Sequence, residues 1–228
     1  MVLYYIIFHM GIKAVVFDMD GLMFDTERVA AEGMLEALRA QGFEADERLL
    51  EKLLGVNTGD TLRILGAHYG GRLDPERALF DMDAYLETYT TARGTPVKPG
   101  LIALLDALDA RRLPRAIASS SPMRRILRNI ASADLAGRFD AVVSGDDVSR
   151  GKPEPDIFLA AARALGVAPE YCMALEDSPS GVEAAKRAGM KTVMVPDLRA
   201  PDARDRAGLF ALVPSLFEAI PLLDGEGG

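Results

Sequence analysis

Residues 12–21 read IKAVVFDMDG. Ile12 to Phe17 form an apolar, β-branched run with little alternation, the pattern of a strand buried on both faces of a parallel sheet. The run stops at Asp18, with Asp20 two residues on and Gly21 beside it. Similar short strands recur at Pro114–Ala118 (PRAIA), Phe139–Val143 (FDAVV), Tyr171–Leu175 (YCMAL) and Lys191–Val195 (KTVMV). Helical patterns at Pro122–Ala131, Asp156–Leu165 and Ser180–Ala188 separate the later ones. Strand and helix alternating at this rhythm predict an open, doubly wound, mostly parallel α/β sheet of Rossmann-like type, with helices on both faces.

The interval from Glu27 to Pro96 breaks the rhythm. It carries helical patterns at Arg28–Ala40, Asp46–Leu53, Gly59–His68 and Pro75–Thr91 and no convincing strand. We therefore expect an α/β core from 10–26 and 97–228, with an all-α unit at 27–96 inserted after the first strand. The connections near Asp25–Thr26 and Thr95–Gly100 would then lie side by side as a hinge. The leader 1–9, MVLYYIIFH, is too short to span a bilayer and has no basic start or small-residue cleavage site. It reads as an upstream start or an extra edge strand, of no assigned role. The tail Asp224–Gly228 is expected to fray.

Composition narrows the function classes. The 228 residues are 49% hydrophobic and 26% charged, the balance of a chain that can build a real core. With 26 Lys+Arg against 34 Asp+Glu the net charge is −8, which disfavours nucleic acid and anionic membranes as partners. A local positive pocket can still take a small anion. One cysteine, Cys172, forms no internal disulfide, and with two histidines there are too few soft ligands for a typical structural zinc site. A cytoplasmic enzyme fits best.

In open α/β sheets, ligands bind outside the carboxyl ends of the strands. The residues there are Asp18-Met19-Asp20-Gly21, Ser119-Ser120-Ser121, Ser144-Gly145-Asp146-Asp147 with Lys152 following, and Glu176-Asp177-Ser178. Asp18 and Asp20 can face one pocket, where two carboxylates repel unless a cation or proton lies between them. A carboxylate is a competent nucleophile toward phosphorus, and a second one can protonate the leaving oxygen. Taken alone, an acidic turn that caps a helix would look the same. Glu176 and Asp177 would bring up to four carboxylates to one point, an arrangement that Mg²⁺ makes stable. Alone, that pair would usually be a helix N-cap and first-turn acid. Lys152 can offset the acids and hold a phosphoryl oxygen, though a lone loop lysine is normally solvated surface. Ser119 offers a hydroxyl to phosphate or a cap to the next helix, a capping role for which Ser120 and Ser121 compete.

Asp18-Met19-Asp20-Gly21, Ser119, Lys152 in GKPEPDIF and Glu176-Asp177 in LEDSPSGVEAAKRAG, in this order, resemble the haloacid dehalogenase-like (HAD) hydrolase superfamily. The inserted helices are similar to the cap of the subgroup containing phosphoglycolate phosphatase and β-phosphoglucomutase. The resemblance implies Asp18 as nucleophile and Asp20 as general acid/base, with Ser119 and Lys152 on the phosphoryl group and Ser120 beside them. It implies Mg²⁺ held by Asp18, the carbonyl of Asp20 and Asp177, with Glu176 as a further or water-mediated ligand. Asp25 matches a recurrent acid that would order the hinge. Gly55, Val56, Asn57 and Thr58 match the substrate-specificity loop of the cap.

The expected activity is Mg²⁺-dependent hydrolysis of a small phosphorylated metabolite through an aspartyl-phosphate, by a monomer or weak homodimer. The alternatives are a sugar phosphomutase and a catalytically silent binding protein. The resemblance gives the mutase a cap histidine and a specificity-loop arginine, where this chain has Ala30 and Thr58; Arg63 and Arg72 are then the candidates for a second phosphate. Lys52, the only lysine in the insertion, reads as surface and not as a Schiff-base residue. Cys172 reads as an inert core thiol, and His9 and His68 as non-catalytic. Tyr85 and Tyr89 could line the substrate side or simply pack.

Overall fold

The computed structural model describes residues 11–45, 47–53 and 58–224. The leader, Gly55, Val56, Asn57 and the last four residues lie outside them. In chain order the elements are β1 (Ala14–Phe17), α1 (Thr26–Ala40), α2 (Glu47–Leu53), α3 (Thr58–Tyr69), α4 (Pro75–Arg93), α5 (Leu101–Arg111) and β2 (Arg115–Ser119). They continue as α6 (Met123–Ser132), β3 (Ala141–Ser144), α7 (Asp156–Leu165), β4 (Cys172–Glu176), α8 (Pro179–Arg187), β5 (Lys191–Met194), α9 (Ala203–Arg206) and β6 (Ala211–Leu212).

The six strands of the described residues are all parallel, in the order β3-β2-β1-β4-β5-β6. The fold is the expected Rossmann-like one. The chain builds outward from β1 through β2 to β3, then returns to β4 on the other side of β1. This reversal opens a crevice at the carboxyl ends of β1 and β4.

Side-chain alternation explains the two helical layers. Val15, Phe17, Ile117, Met173 and Leu175 face α5 and α6 in a cluster of large residues. Ala14, Val16, Ala116, Ala118, Cys172 and Ala174 face α7 and α8 in a cluster dominated by alanine. Small residues on that face let the helices approach closely. Phe17 and Phe158 are fully buried, one on each side, each contributing about 1.5–3 kcal/mol of burial free energy.

Helices α1 to α4 share a separate cluster in which Met34, Leu38, Leu49, Leu65 and Ala78 meet. A Cβ on Gly33 would crowd the Tyr85 ring at 3.0 Å, so glycine there lets α1 and α4 pack tightly. Asp74 caps α4 by accepting from the Arg77 amide at 3.0 Å, typically worth about 1 kcal/mol. The chain leaves and re-enters the sheet layer along paired backbones. Asp25 N donates to Pro96 O and Lys98 N to Met23 O, both at 2.9 Å, around an antiparallel bridge between Phe24 and Val97.

Several boundaries differ from the expectations. Sequence pattern places Ser119, Ser144 and Glu176 just after the strands; each is instead the last residue of its strand. Helix α5 was not anticipated, although Leu101, Leu104, Leu105 and Leu108, all fully buried, fall at i, i+3, i+4 and i+7 with Asp106 and Asp109 on the exposed side, so its helical period stood in the sequence. The short α9 and β6 also went unread. Asp224 is not frayed: it ends a 3-10 turn at Pro221–Asp224, and its carboxylate takes both Arg111 Nε and Nη2 at 3.1 Å. Among the described residues no helix is long and apolar enough to cross a membrane.

Candidate active site

Register delivers the acids. β1 pairs with β4 so that Phe17 lies opposite Leu175, and Asp18 N donates to Leu175 O at 3.0 Å. The next residue on each chain, Asp18 and Glu176, must therefore be neighbours at the crevice. Asp177 follows, and carboxylate oxygens of Asp18, Glu176 and Asp177 all lie within 4.8 Å of one another. All three residues are buried.

Lys152 enters from the loop between β3 and α7, with its ammonium 5.0 Å from the centre of the Phe158 ring. Its Nζ donates to Asp18 Oδ1, in a very short contact, and to Glu176 Oε1 at 2.6 Å. The other Glu176 oxygen accepts from Ser178 N at 2.9 Å and Ser178 Oγ at 3.0 Å. Glu176 is thus occupied on both oxygens. A Cβ on Gly181, in the first turn of α8, would overlap the Glu176 carboxylate, and one on Gly21 would overlap that of Asp177. Gly21 also takes a φ of +85°, which glycine adopts without strain. Both glycines are cradles for the acids.

Three carboxylates against one ammonium leave a formal excess of two negative charges in this buried space. Burial, reinforced for Asp177 by Glu176, pushes the pKa of Asp18 and Asp177 well above the ordinary carboxylate value; for Asp18 the Lys152 charge opposes it. Burial alone would lower the Lys152 pKa, but Asp18 and Glu176 hold it raised. The Asp177 Oδ1 atom is buried and has no hydrogen-bond partner among the described residues. An all-oxygen donor set, surplus negative charge and an orphaned buried oxygen fit a hard divalent cation, so the trio could hold a metal ion.

Asp20 lies apart from the lysine, at the mouth of a larger cavity. Its Oδ1 accepts from Thr26 Oγ1 at 2.6 Å, its Oδ2 from Ser121 Oγ at 2.8 Å, and Arg125 Nη2 is 3.4 Å from Oδ1. Ser119 is buried, and its hydroxyl accepts from Ser121 N at 3.1 Å. Ser120 is exposed, and its carbonyl packs where a Cβ on Gly145 would fall. Thr26 and Arg125 were not singled out as site residues, and Ser121 only as a strand-end residue competing to cap the next helix. The Ser121 and Arg125 contacts with Asp20 span more than 100 residues, and Thr26 meets it six residues on through the register of α1, so no local motif encodes the group.

The cavity encloses about 240 Å³. Asp20 and Arg125 line it from the sheet side, and Thr26, Glu27, Ala30, Ala31 and Met34 form one stripe of α1. Leu50 and Leu53 of α2, Thr58 and Thr61 of α3, and Leu79 and Met82 of α4 complete it. Glu27 is a second omission. Its carboxylate is half-buried, and burial followed by the charges of Asp197 and Asp20 pushes its pKa up to about 7.

Thr58 therefore lines the cavity, whereas Gly55, Val56 and Asn57 fall outside the described residues. Arg63 is exposed and pairs with Asp60 at 2.8 Å, while Arg72 sits over the Phe43 ring; neither lines the cavity. Lys52 is exposed. Tyr85 contacts Glu32 at 3.3 Å, Tyr89 lies beneath Arg93, and His68 packs on Tyr69. Cys172 is buried, its thiol pKa pushed up to about 11 by burial and Glu170, as an inert core thiol should be.

Asp25 pairs with Arg28 at 3.1 Å beside the paired connections. Two ion pairs link α4 to α6: Arg128 with Glu87 at 3.1 Å and Arg125 with Asp83 at 3.5 Å. Arg125 so touches both Asp20 and a helix of the insertion.

Comparison with known proteins agrees with this geometry. A phosphorylated carbohydrates phosphatase of Thermotoga maritima is 33% identical over 212 residues, covering 88% of this chain and 94% of the relative. The (DL)-glycerol-3-phosphatase 2 of Arabidopsis thaliana is 36% identical over 197 residues, covering 83% and 81% respectively. The structure of CbbY from Rhodobacter sphaeroides in complex with phosphate superposes with a TM-score of 0.76 at 26% identity, over 91% of this chain and 96% of that one. The model of the haloacid dehalogenase-like hydrolases matches residues 12–189, a span that contains every strand-end acid and the lysine between them, and the chain belongs to that family.

Proposed function

We propose that the protein is a Mg²⁺-dependent phosphatase of small phosphomonoesters that works through an aspartyl-phosphate. The observation that carries this reading is the convergence of Asp18, Lys152, Glu176 and Asp177 on one buried point, with Asp20 facing the adjoining cavity. The curated relatives are named as phosphatases, which supports it.

A free oxygen of the Asp18 carboxylate attacks phosphorus as the ester P–O bond breaks, and the departing alkoxide takes a proton from Asp20. Asp20 then removes a proton from water, whose oxygen attacks the same phosphorus. The acyl-phosphate bond breaks, releasing inorganic phosphate and the Asp18 carboxylate. Thr26 and Ser121 suit this alternation because a hydroxyl donates to a carboxylate and can turn to accept from a carboxylic acid. Lys152 neutralises charge on the phosphoryl oxygens, and the buried Ser119 hydroxyl adds a donor, with Ser120 at the rim.

Asp18, Asp177 and the backbone carbonyl of Asp20 would hold Mg²⁺. Glu176, engaged by Lys152 and Ser178, fits a water-mediated place. The ion supplies charge neutralisation at the transferring group. Residues 27–96 would act as a cap on the core formed by 10–26 and 97–228, excluding water during turnover. The two hydrogen-bonded connections around Phe24 and Val97 support that division.

A sugar phosphomutase needs a second cationic holding point. Ala30 and Thr58 both line the cavity, and neither can supply one. The reading is tested by phosphate release and by acid-quenched labelling of the protein. Asp18→Asn should lose turnover and labelling by about 10³-fold or more, while Asp20→Asn should label slowly and stall before hydrolysis. Full steady-state activity in Asp18→Asn, with deamidation excluded by mass spectrometry, would overturn it.

A further inference from the structure

Taking the phosphatase reading as given, the walls of the cavity show what kind of alcohol the phosphate is attached to. Along α1, Thr26 is bonded to Asp20 and Met34 lies eight residues further on, so the stripe runs about 12 Å from the reacting centre at 1.5 Å per residue. Its near end is polar and its far end apolar. The cavity volume of about 240 Å³ is on the scale of a small carbohydrate-like group.

The charges are lopsided. Asp20 and Glu27 are acidic, and Arg125 is the one cation on the cavity wall among the described residues. Its guanidinium is already shared between Asp20 and Asp83. Glu27 makes no hydrogen bond or ion pair among the described residues, yet it is half-buried in an acidic neighbourhood. A carboxylate without a partner among the described residues, facing a substrate cavity, has two uses: it accepts from a substrate hydroxyl, and above its pKa of about 7 it repels a second anion, so the assays below are run at pH 8.

We propose that the cavity selects monophosphates of small uncharged polyols and that Glu27 is the specificity residue, accepting a hydroxyl from the alcohol and turning away esters that carry a carboxylate or second phosphate. This is a statement about the leaving group and leaves the chemistry at Asp18 untouched.

Glycerol 3-phosphate and 3-phosphoglycerate form a matched pair, since one ends in CH₂OH where the other ends in a carboxylate. Phosphate release with Mg²⁺ should show kcat/KM for the polyol ester at least about tenfold higher in the unaltered protein, mostly through KM. Glu27→Gln should shrink that ratio by about tenfold, by improving the acid ester. Glu27→Asp, which keeps the charge, should preserve most of it. The ratio is internal to each variant, so a general loss of activity does not disguise the result.

Equal kcat/KM for the two esters in the unaltered protein, or the same ratio in Glu27→Gln, would overturn the proposal. p-Nitrophenyl phosphate separates the two levels of failure. If it is hydrolysed and the matched pair is not discriminated, the inference about Glu27 falls alone. If Mg²⁺-dependent hydrolysis of all three is missing, the phosphatase reading falls and takes the inference with it.

Discussion

The two sides of the reaction space are built on opposite principles. On the sheet side, Asp18, Glu176 and Lys152 are buried and tied to one another, and glycines at 21 and 181 clear the space behind the acids. On the helical side, aliphatic residues and threonines from four helices form the wall, and Glu27 has no side-chain partner among the described residues. The first arrangement tolerates one geometry, as charge reorganisation in a buried site requires. The second discriminates by shape and charge, where a substitution changes selectivity without dismantling the reaction. Chemistry and choice are assigned to separate layers of the fold.

If this contrast is right, the largest effects belong to the buried charge cluster. Chelating Mg²⁺ with EDTA should abolish turnover, and restoring it should raise the melting temperature. The stabilisation should grow with pH. Asp18 and Asp177 have pKa values raised above their unfolded values, so the metal-free folded state binds more protons than the unfolded chain. Its stability must then fall as pH rises from about 4 upward, through the range between the unfolded and folded pKa values. A divalent cation removes that penalty. Differential scanning calorimetry from pH 5 to pH 8 should show the gap between Mg²⁺ and EDTA samples widening; a gap that narrows would sever the cation from these carboxylates.

Next comes Gly181→Ala. The added methyl overlaps the Glu176 carboxylate, which cannot move without breaking its bonds to Lys152 and Ser178. We expect a loss of about 1–3 kcal/mol in urea unfolding together with a large fall in kcat. Unchanged stability and kcat would mean that the cluster is far softer than its packing implies.

The smallest effect belongs to the exposed outer surface of the insertion. Arg63 is 73% exposed and pairs with Asp60 one helical turn away. Arg63→Ala should shift stability by no more than about 0.5 kcal/mol and leave KM for a monophosphate unchanged. A KM rise of tenfold would bring Arg63 to the substrate and revive the mutase alternative.

The two layers also differed in how much of them the sequence disclosed. Asp18, Ser119, Lys152 and the Glu176-Asp177 pair sit at strand ends, and in a parallel sheet the end of an apolar run is already a position in space. The same logic marked Thr58 only by resemblance. Glu27 and Arg125 were missed for a physical reason: on a helix, the face that meets a cavity depends on which neighbours it packs against, and those lie far along the chain. α5 went unread although its leucines at 101, 104, 105 and 108 keep the helical spacing in the sequence, whereas Asp224 hid because its anchor, Arg111, is more than 100 residues away. Ser120 shows the limit of motif adjacency. It neighbours Ser119 in sequence but faces outward, while Ser121 turns in to Asp20.

Arg125 has one more implication. Because a single guanidinium reaches both Asp20 and Asp83, movement of α4 away from the sheet layer must cost Asp20 a cationic neighbour or cost Arg125 one of its two anchors. Docking of the helical unit and the electrostatic setting of Asp20 are thereby one equilibrium. On the mechanism proposed above, an alcohol that holds the helices down would, by that same linkage, tune the acid that protonates it.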